Sequence, residues 1–172
     1  SSLDFLRALC RSGNAMVLLP RHPAQLAVVV ADPSLIPGML EEAVRHQSPI
    51  QGIPRKAMRE VELAGTTIAK DAMVMVMFGS ANRDESQFPD PDRLDVTRRP
   101  NRHLAFGHGI HFCLGAALAR IEAQIAFGEL TRRFPDMELA TESFEWHDSL
   151  ILRGLKKLPV AFTPSARLKT AV

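Results

Sequence analysis

Tyrosine is absent from this chain, tryptophan occurs once, and Cys10 and Cys113 are its two cysteines. The absence of tyrosine excludes any chemistry that needs a phenol side chain. Two distant cysteines without a C-x-x-C spacing favour a reducing, cytoplasmic location over a disulfide-stabilised secreted fold.

The sequence also lacks a strong charge imbalance and a long apolar run. Its 21 basic and 19 acidic residues leave a formal net charge of +2, which is too small to predict nucleic-acid binding. The longest apolar run, LAVVVA at residues 26–31, is too short to cross a bilayer, and the N-terminus has no signal-peptide pattern. With 46% apolar residues among 172, the composition predicts a globular domain that binds neither nucleic acid nor membrane.

Periodicity predicts a mainly helical fold with small β-sheets, in the α+β class. Helices are expected within residues 1–31 with breaks at Pro20 and Pro23, over 35–46 with Asp32 or Ser34 as the cap, and over 114–134. Short strands are expected at 59–64, 66–69 and 72–77, and in MELA and LPVAFTP near the end. Residues 79–103 have no sustained period and predict a long ordered loop, called the meander below. The last helix is expected to bury an apolar stripe formed by Leu114, Leu118, Ile121, Ile125 and Leu130.

The segment FGHGIHFCLG, residues 106–115, surrounds Cys113 with glycines at the predicted start of that helix. A free cysteine is most often a small buried hydrophobe. Here, however, a helix start favours a thiolate, and the glycines allow the backbone to lie against a flat group. The nearby His108 and His111 also leave a cysteine hydrolase open, whereas further ligands at zinc spacing are not evident.

The pattern F-x-x-G-x-x-x-C-x-G, filled by Phe106, Gly109, Cys113 and Gly115, resembles the haem-thiolate loop of the cytochrome P450 family. The resemblance implies haem b as the cofactor and Cys113 as the axial ligand of its iron. It also implies that Phe106, Gly107, Gly109 and Gly115 contact the haem. Arg55 and His111 are the implied partners of the haem propionates. His103 is a further candidate for that contact, with a loop-stabilising role as its alternative.

A second motif of the same family, E-x-x-R, is matched by Glu42 and Arg45. Taken alone, such a pair on a helix is usually a solvated surface contact. In the family it meets an arginine of the meander, which here would be Arg93. The implied triad of Glu42, Arg45 and Arg93 is structural.

The resemblance is close from about residue 13 to residue 160, and it is to bacterial, actinobacterial-type members that are more than twice as long. We therefore expect residues 1–172 to form a single partial domain, the C-terminal part of the fold with the distal half missing by truncation. Residues 1–12 stand where the distal helix would carry an A-G-x-[DE]-T motif, and they contain nothing like it.

Two functions follow as expectations. The resemblance implies a monooxygenase that inserts one oxygen atom of O2 into a small organic substrate, with electrons from a ferredoxin-type partner. A basic face would attract that partner, and its candidate members are Arg98, Arg99, Arg102 and His108. The alternative is a non-catalytic remnant or accessory module that binds a protein through an exposed apolar patch, expected at residues 23–31.

Overall fold

The computed structural model describes residues 14–163, and the expectations for residues 1–12 lie outside them. Residues 14–18 are helical. The helices that follow are α1 (Pro23–Ala31), α2 (Ile36–His46), α3 (Phe78–Ala81) and α4 (Ala116–Arg133). The strands are β1 (Gly52–Lys56), β2 (Val61–Leu63), β3 (Thr66–Ile68), β4 (Met73–Met77), β5 (Glu138–Leu139) and β6 (Val160–Ala161). This mainly helical arrangement with small sheets confirms the predicted class.

Helix α2 packs against α4 and carries the centre of the core. It is entered through a short 3-10 turn, Pro33–Leu35, which Asp32 caps: its Oδ1 accepts a hydrogen bond from the Ser34 N–H at 3.0 Å. Helix α2 itself has Leu35 as its N-cap, without a side-chain cap, so Asp32 caps the preceding turn and not the helix for which it was predicted. The core side chains come from the first helical residues, α1, α2, the meander and α4, and include Leu18, Val29, Met39, Ala43, Leu94, Val96 and Phe127.

The strands pair as three two-stranded antiparallel sheets within residues 14–163, with β1 on β4, β2 on β3 and β5 on β6. Sequence periodicity predicts every strand except β1, because Gly52 and Pro54 are residues typical of a turn. Pro54 faces Met75 in a sheet where β1 has one partner strand. An edge position tolerates a residue without an N–H group.

The predicted buried face of α4 is wrong. Leu114, just before the helix, and Leu118, Ile121 and Ile125 within it are 56–103% exposed. The buried face instead carries Ala116 and Phe127. The patch expected on residues 23–31 is present in part: Pro23, Ala27 and Val28 are exposed, whereas Val29 is fully buried in the core. The larger exposed apolar side chains are those of the stripe on α4.

Replacing Leu118, Ile121 and Ile125 together by glutamine is expected to raise the solubility of the chain without lowering its melting temperature. Each of these side chains is more than half exposed, so little apolar surface is lost from the core. Light scattering against concentration and thermal unfolding measure the two effects. The matched control is Phe127→Ala on the same helix, which removes a side chain that is 2% exposed. An equal loss of stability in the triple variant would contradict the exposed stripe.

No single helix within residues 14–163 is long and apolar enough to cross a membrane. Only when taken together do the segments Pro23–Ala31 and Pro33–His46 have the length and apolar composition of a membrane span, and the chain bends by 110° between them.

Candidate cofactor site

The Cys113 loop is closed by its own backbone. The Cys113 N–H donates to the carbonyl oxygen of Phe106 at 2.8 Å, and the Phe112 N–H donates to that of Gly109 at 3.0 Å. Gly107 and Gly109 have φ values of 75° and 66°, in the left-handed region that favours glycine. At Gly109 a Cβ atom would meet no protein atom within 4 Å, so among the described residues its backbone conformation, rather than crowding, accounts for the glycine.

Cys113 lies just outside helix α4. The N-cap of the helix is Gly115, so the cysteine precedes the N-cap by two positions instead of lying within the first turn. The thiol is free and half-buried. Within residues 14–163, neither His108 nor His111 forms a hydrogen bond with its sulfur, so the geometry gives no support to an activated nucleophile.

A cavity of about 410 Å³ opens beside this loop, within the size range of small-molecule and cofactor pockets. Five of the predicted cofactor residues line it together: Arg55, Phe106, Gly107, His111 and Cys113. The remaining walls are largely apolar and include Leu40, Val44, Ile50, Ile53, Val76 and Phe78. Gly109, Gly115 and His103 are not among the described residues that line the cavity.

Arg55 and His111 are both exposed. Among the described residues, the hydrogen-bond partner of the Arg55 guanidinium is the Pro54 carbonyl oxygen at 3.1 Å, and no carboxylate lies within ion-pair distance. Both side chains can therefore bind an anionic group in the cavity.

His103 turns away from the cavity. Its Nε2 donates to the Glu41 carboxylate at 2.9 Å, and its Nδ1 accepts the Ala105 N–H at 3.2 Å. Because both ring nitrogens are occupied and the side chain is 3% exposed, the expected cofactor contact is corrected. His103 has the loop-stabilising role.

The E-x-x-R pair is buried, not solvated. Arg45 donates from Nε to Glu42 Oε2 at 2.7 Å and from Nη2 to Oε1 at 2.9 Å, and both side chains are 0% exposed. The Nη1 group of Arg45 donates to the carbonyl oxygens of Asn82 at 2.8 Å and Pro91 at 2.9 Å. The pair therefore joins α2 to the backbone of the meander.

The third arginine of this network is Arg98, not Arg93. Arg98 donates from Nε to Glu42 Oε1 at 3.1 Å. The side chain of Arg93 is exposed, and the residue takes part through its carbonyl oxygen, which accepts from Arg45 Nη2 at 3.4 Å. The spacing within the meander did not show which arginine its backbone turns inward.

Asn82 links the network to the cofactor loop, a role that is not visible in the sequence, where the motif ANRD at residues 81–84 indicates only a structural segment. Its side chain is fully buried. Its Oδ1 accepts the Leu104 N–H at 2.6 Å, and its Nδ2 donates to Ser48 Oγ at 2.8 Å. Asn82 thus holds the chain just before the loop. The available signal is an amide side chain followed by two charged residues, Arg83 and Asp84.

Glu41, next to Glu42 on α2, bridges His103 and Arg120. Burial acts to raise the pKa of the Glu41 carboxyl, but hydrogen bonds from Arg120 and His103, together with the charge of Arg120, outweigh it and lower the pKa from 4.5 to about 2. A carboxyl with a lowered pKa stabilises the fold in its ionised form. Its contribution is therefore complete above pH 4.5 and is lost as the pH falls towards 2.

Comparison with known proteins places these features in one family. The sequence model of the cytochrome P450 family matches residues 32–148. Cytochrome P450 107B1 of Saccharopolyspora erythraea is 49% identical over 151 residues, which cover 86% of this chain and 37% of the relative. The 6-deoxyerythronolide B hydroxylase of the same organism is 46% identical over 150 residues, with 86% and 37% covered.

Solved structures agree. The crystal structure of P450BioI in complex with an acyl carrier protein carrying hexadec-9Z-enoic acid matches with a TM-score of 0.89 and 41% identity, over 91% of this chain and 41% of that one. In these three comparisons the chain spans about two fifths of its relative's length. The family implies haem as the cofactor. The cysteine loop, the buried E-x-x-R pair and the fold have a common explanation: this chain belongs to the cytochrome P450 family.

Proposed function

We propose that this chain supplies the haem-binding part of a cytochrome P450 monooxygenase, in which the Cys113 thiolate would bind the iron. The observation that carries the proposal is the convergence of a free thiol, a guanidinium and an imidazole on one largely apolar cavity. Haem offers an iron for the thiolate, propionates for Arg55 and His111, and a flat apolar ring for the remaining walls. The donor set therefore fits the group.

When bound, thiolate-ligated haem supplies the redox chemistry that transfers one oxygen atom of O2 to a substrate. The chain's own residues would bind the haem and orient it. Cys113 must lose its proton to act as a ligand, and its N–H is already occupied by the Phe106 carbonyl. Arg55 and His111 would fix the propionates, while the apolar walls exclude water from the ring.

The activity of the whole protein is part of the proposal. A small organic substrate and a ferredoxin-type electron donor are inferred from the family, and the name of the hydroxylase relative supports oxygen insertion. Arg98 is largely occupied by Glu42 and by meander carbonyl oxygens. The exposed Arg99, Arg102 and His108 are therefore the better candidates for a basic docking face. We further infer one partial domain over residues 1–172 and a cytoplasmic location.

The test is the spectrum of the reduced, carbon-monoxide-bound complex of the purified chain with haem. We expect the Soret band typical of thiolate ligation, and its complete loss in Cys113→Ala. Cys10→Ala is the matched control and should leave the band unchanged. A colourless protein, or a band of the imidazole-ligated type in the unmodified chain, would overturn the assignment of Cys113.

A second candidate is the accessory module that binds a protein partner, favoured by the exposed stripe of Leu118, Ile121 and Ile125 on α4. Exposed apolar patches of this kind mark protein-interaction sites. Size-exclusion chromatography of the haem-free chain separates the two functions. A stable haem-free monomer with no haem affinity would favour the module over the enzyme.

A further inference from the structure

One carboxylate on α2 ties together the two flanks of the Cys113 loop. Glu41 accepts two hydrogen bonds from Arg120, from Nε to Oε1 at 2.7 Å and from Nη2 to Oε2 at 2.8 Å. It also accepts the hydrogen bond from His103 at 2.9 Å. His103 precedes the loop, and Arg120 lies in the helix that follows it, so both ends of the loop are attached to the same point of α2.

The hydrogen-bond network assigns one tautomer to His103. The Ala105 N–H donates to Nδ1, so that nitrogen must offer a lone pair, and Nε2 carries the proton given to Glu41. The imidazole therefore forms hydrogen bonds both with the backbone at the start of the loop and with the carboxylate on α2. A rotation of His103 would break both contacts at once.

Arg120 links Glu41 to the cofactor loop through a contact with Phe106. Its guanidinium carbon lies 4.5 Å from the centroid of the Phe106 ring, within the range of a cation–π contact. The carbonyl oxygen of Phe106 in turn accepts the Cys113 N–H at 2.8 Å. Arg120 thus contacts the residue that holds the backbone of the cysteine.

We propose that Glu41, His103 and Arg120, together called the Glu41 clamp, are positioning residues that set Phe106, and through it Cys113, before haem binds. The proposal rests on the proposed function of Cys113. Glu41, Phe106 and Arg120 all line the cavity, so the clamp forms part of the wall against which the cofactor would lie. A guanidinium held by two charge-assisted bonds stays over the ring, since turning away would break both.

Haem affinity is the first test, measured by titrating haem into the full 172-residue chain. Arg120→Met is expected to weaken haem binding about tenfold, the loss typical of residues that orient a metal ligand. Arg120→Lys keeps the charge and loses the planar stack, so we expect partial recovery. The control is Arg132→Met on the same helix, whose exposed ion pair with Glu129 at 2.8 Å lies outside the clamp. This variant should bind haem as the unmodified chain does.

Two results would overturn the clamp as a positioning device: unchanged haem affinity in folded Arg120→Met, or an equal loss in Arg132→Met. Far-UV circular dichroism shows whether each variant is folded. If Arg120→Met does not fold, Glu41→Gln, which retains an acceptor oxygen, replaces it in the same comparison. The expected result there is again weaker haem binding, and an unchanged affinity would again overturn the proposal.

The second test needs no haem and separates a failed clamp from a failed assignment of Cys113. A double-mutant cycle combines Arg120→Met with Phe106→Leu, and the free energy of unfolding is measured for all four haem-free proteins. Residues in contact give non-additive changes, so we expect the double variant to lose less than the sum of the single variants. Additive changes would refute the clamp, even in a chain that binds no haem. A chain without the thiolate spectrum but with clear coupling would refute only the role of Cys113.

Discussion

Replacing Glu42 by alanine is expected to lower the free energy of unfolding by about 3–5 kcal/mol, the cost of removing one partner of a buried ion pair. The guanidinium of Arg45 would stay buried without a counter-charge. Three further donors would lose their acceptor, namely the Asp95 N–H at 3.1 Å, Asn101 Nδ2 at 3.0 Å and Arg98 Nε at 3.1 Å. The loss therefore extends beyond the pair to the meander.

Chemical denaturation of the unmodified chain and of Glu42→Ala measures this change in the free energy of unfolding. Glu129→Ala is the matched control, because Glu129 also accepts from two arginines, Arg132 and Arg133, but at the exposed surface. Exposed ion pairs contribute little to stability, so the control should unfold at nearly the same denaturant concentration as the unmodified chain. Equal effects of the two substitutions would show that Glu42 is solvated.

The second large effect is expected at Asn82. Asn82→Ala removes the acceptor of the Leu104 N–H and the donor to Ser48 Oγ. Losing the partner of a buried polar group costs about 1–3 kcal/mol, so for two groups we expect a loss of about 2–6 kcal/mol in the free energy of unfolding. Because Leu104 immediately precedes the cofactor loop, haem binding should weaken as well.

Denaturation and haem titration of Asn82→Ala test both expectations. Gln87→Ala supplies the control, because it truncates an exposed amide in the same segment whose one side-chain hydrogen bond goes to Ser86 at 3.3 Å. A variant of Asn82 that unfolds like the control would contradict the role of this amide. A loss of stability without any change in haem affinity would show that Asn82 stabilises the fold but does not contribute to haem binding.

Much of the site could be predicted because its signals are local. Cys113 and the glycines before it lie within ten residues, and Glu42 and Arg45 lie within one helical turn, so their spacing is visible in the sequence. Asn82 and Arg98 reach α2 and the loop from the meander, where the path of an aperiodic backbone decides which side chain turns inward. Sequence spacing carries no such information, so the resemblance alone points to Arg93, whereas the structure has Arg98 on Glu42.

Helix α4 shows a different limit. Its apolar stripe has helical spacing, and the prediction of a helix over 114–134 is confirmed by Ala116–Arg133. Periodicity does not say which structure covers an apolar face. The helix instead packs through Ala123 and Phe127 against the core, while Arg120 binds Glu41. The stripe that would conventionally be buried faces outward.

The contacts of Arg45 determine which changes the meander can tolerate. Its guanidinium binds the carbonyl oxygens of Asn82, Pro91 and Arg93, and every amino acid offers such an oxygen. Recognition by Arg45 therefore depends on the route of the main chain and leaves the exposed side chains of the segment open to substitution. Surface chemistry on this side of the protein can diverge while the scaffold behind the cofactor loop stays the same.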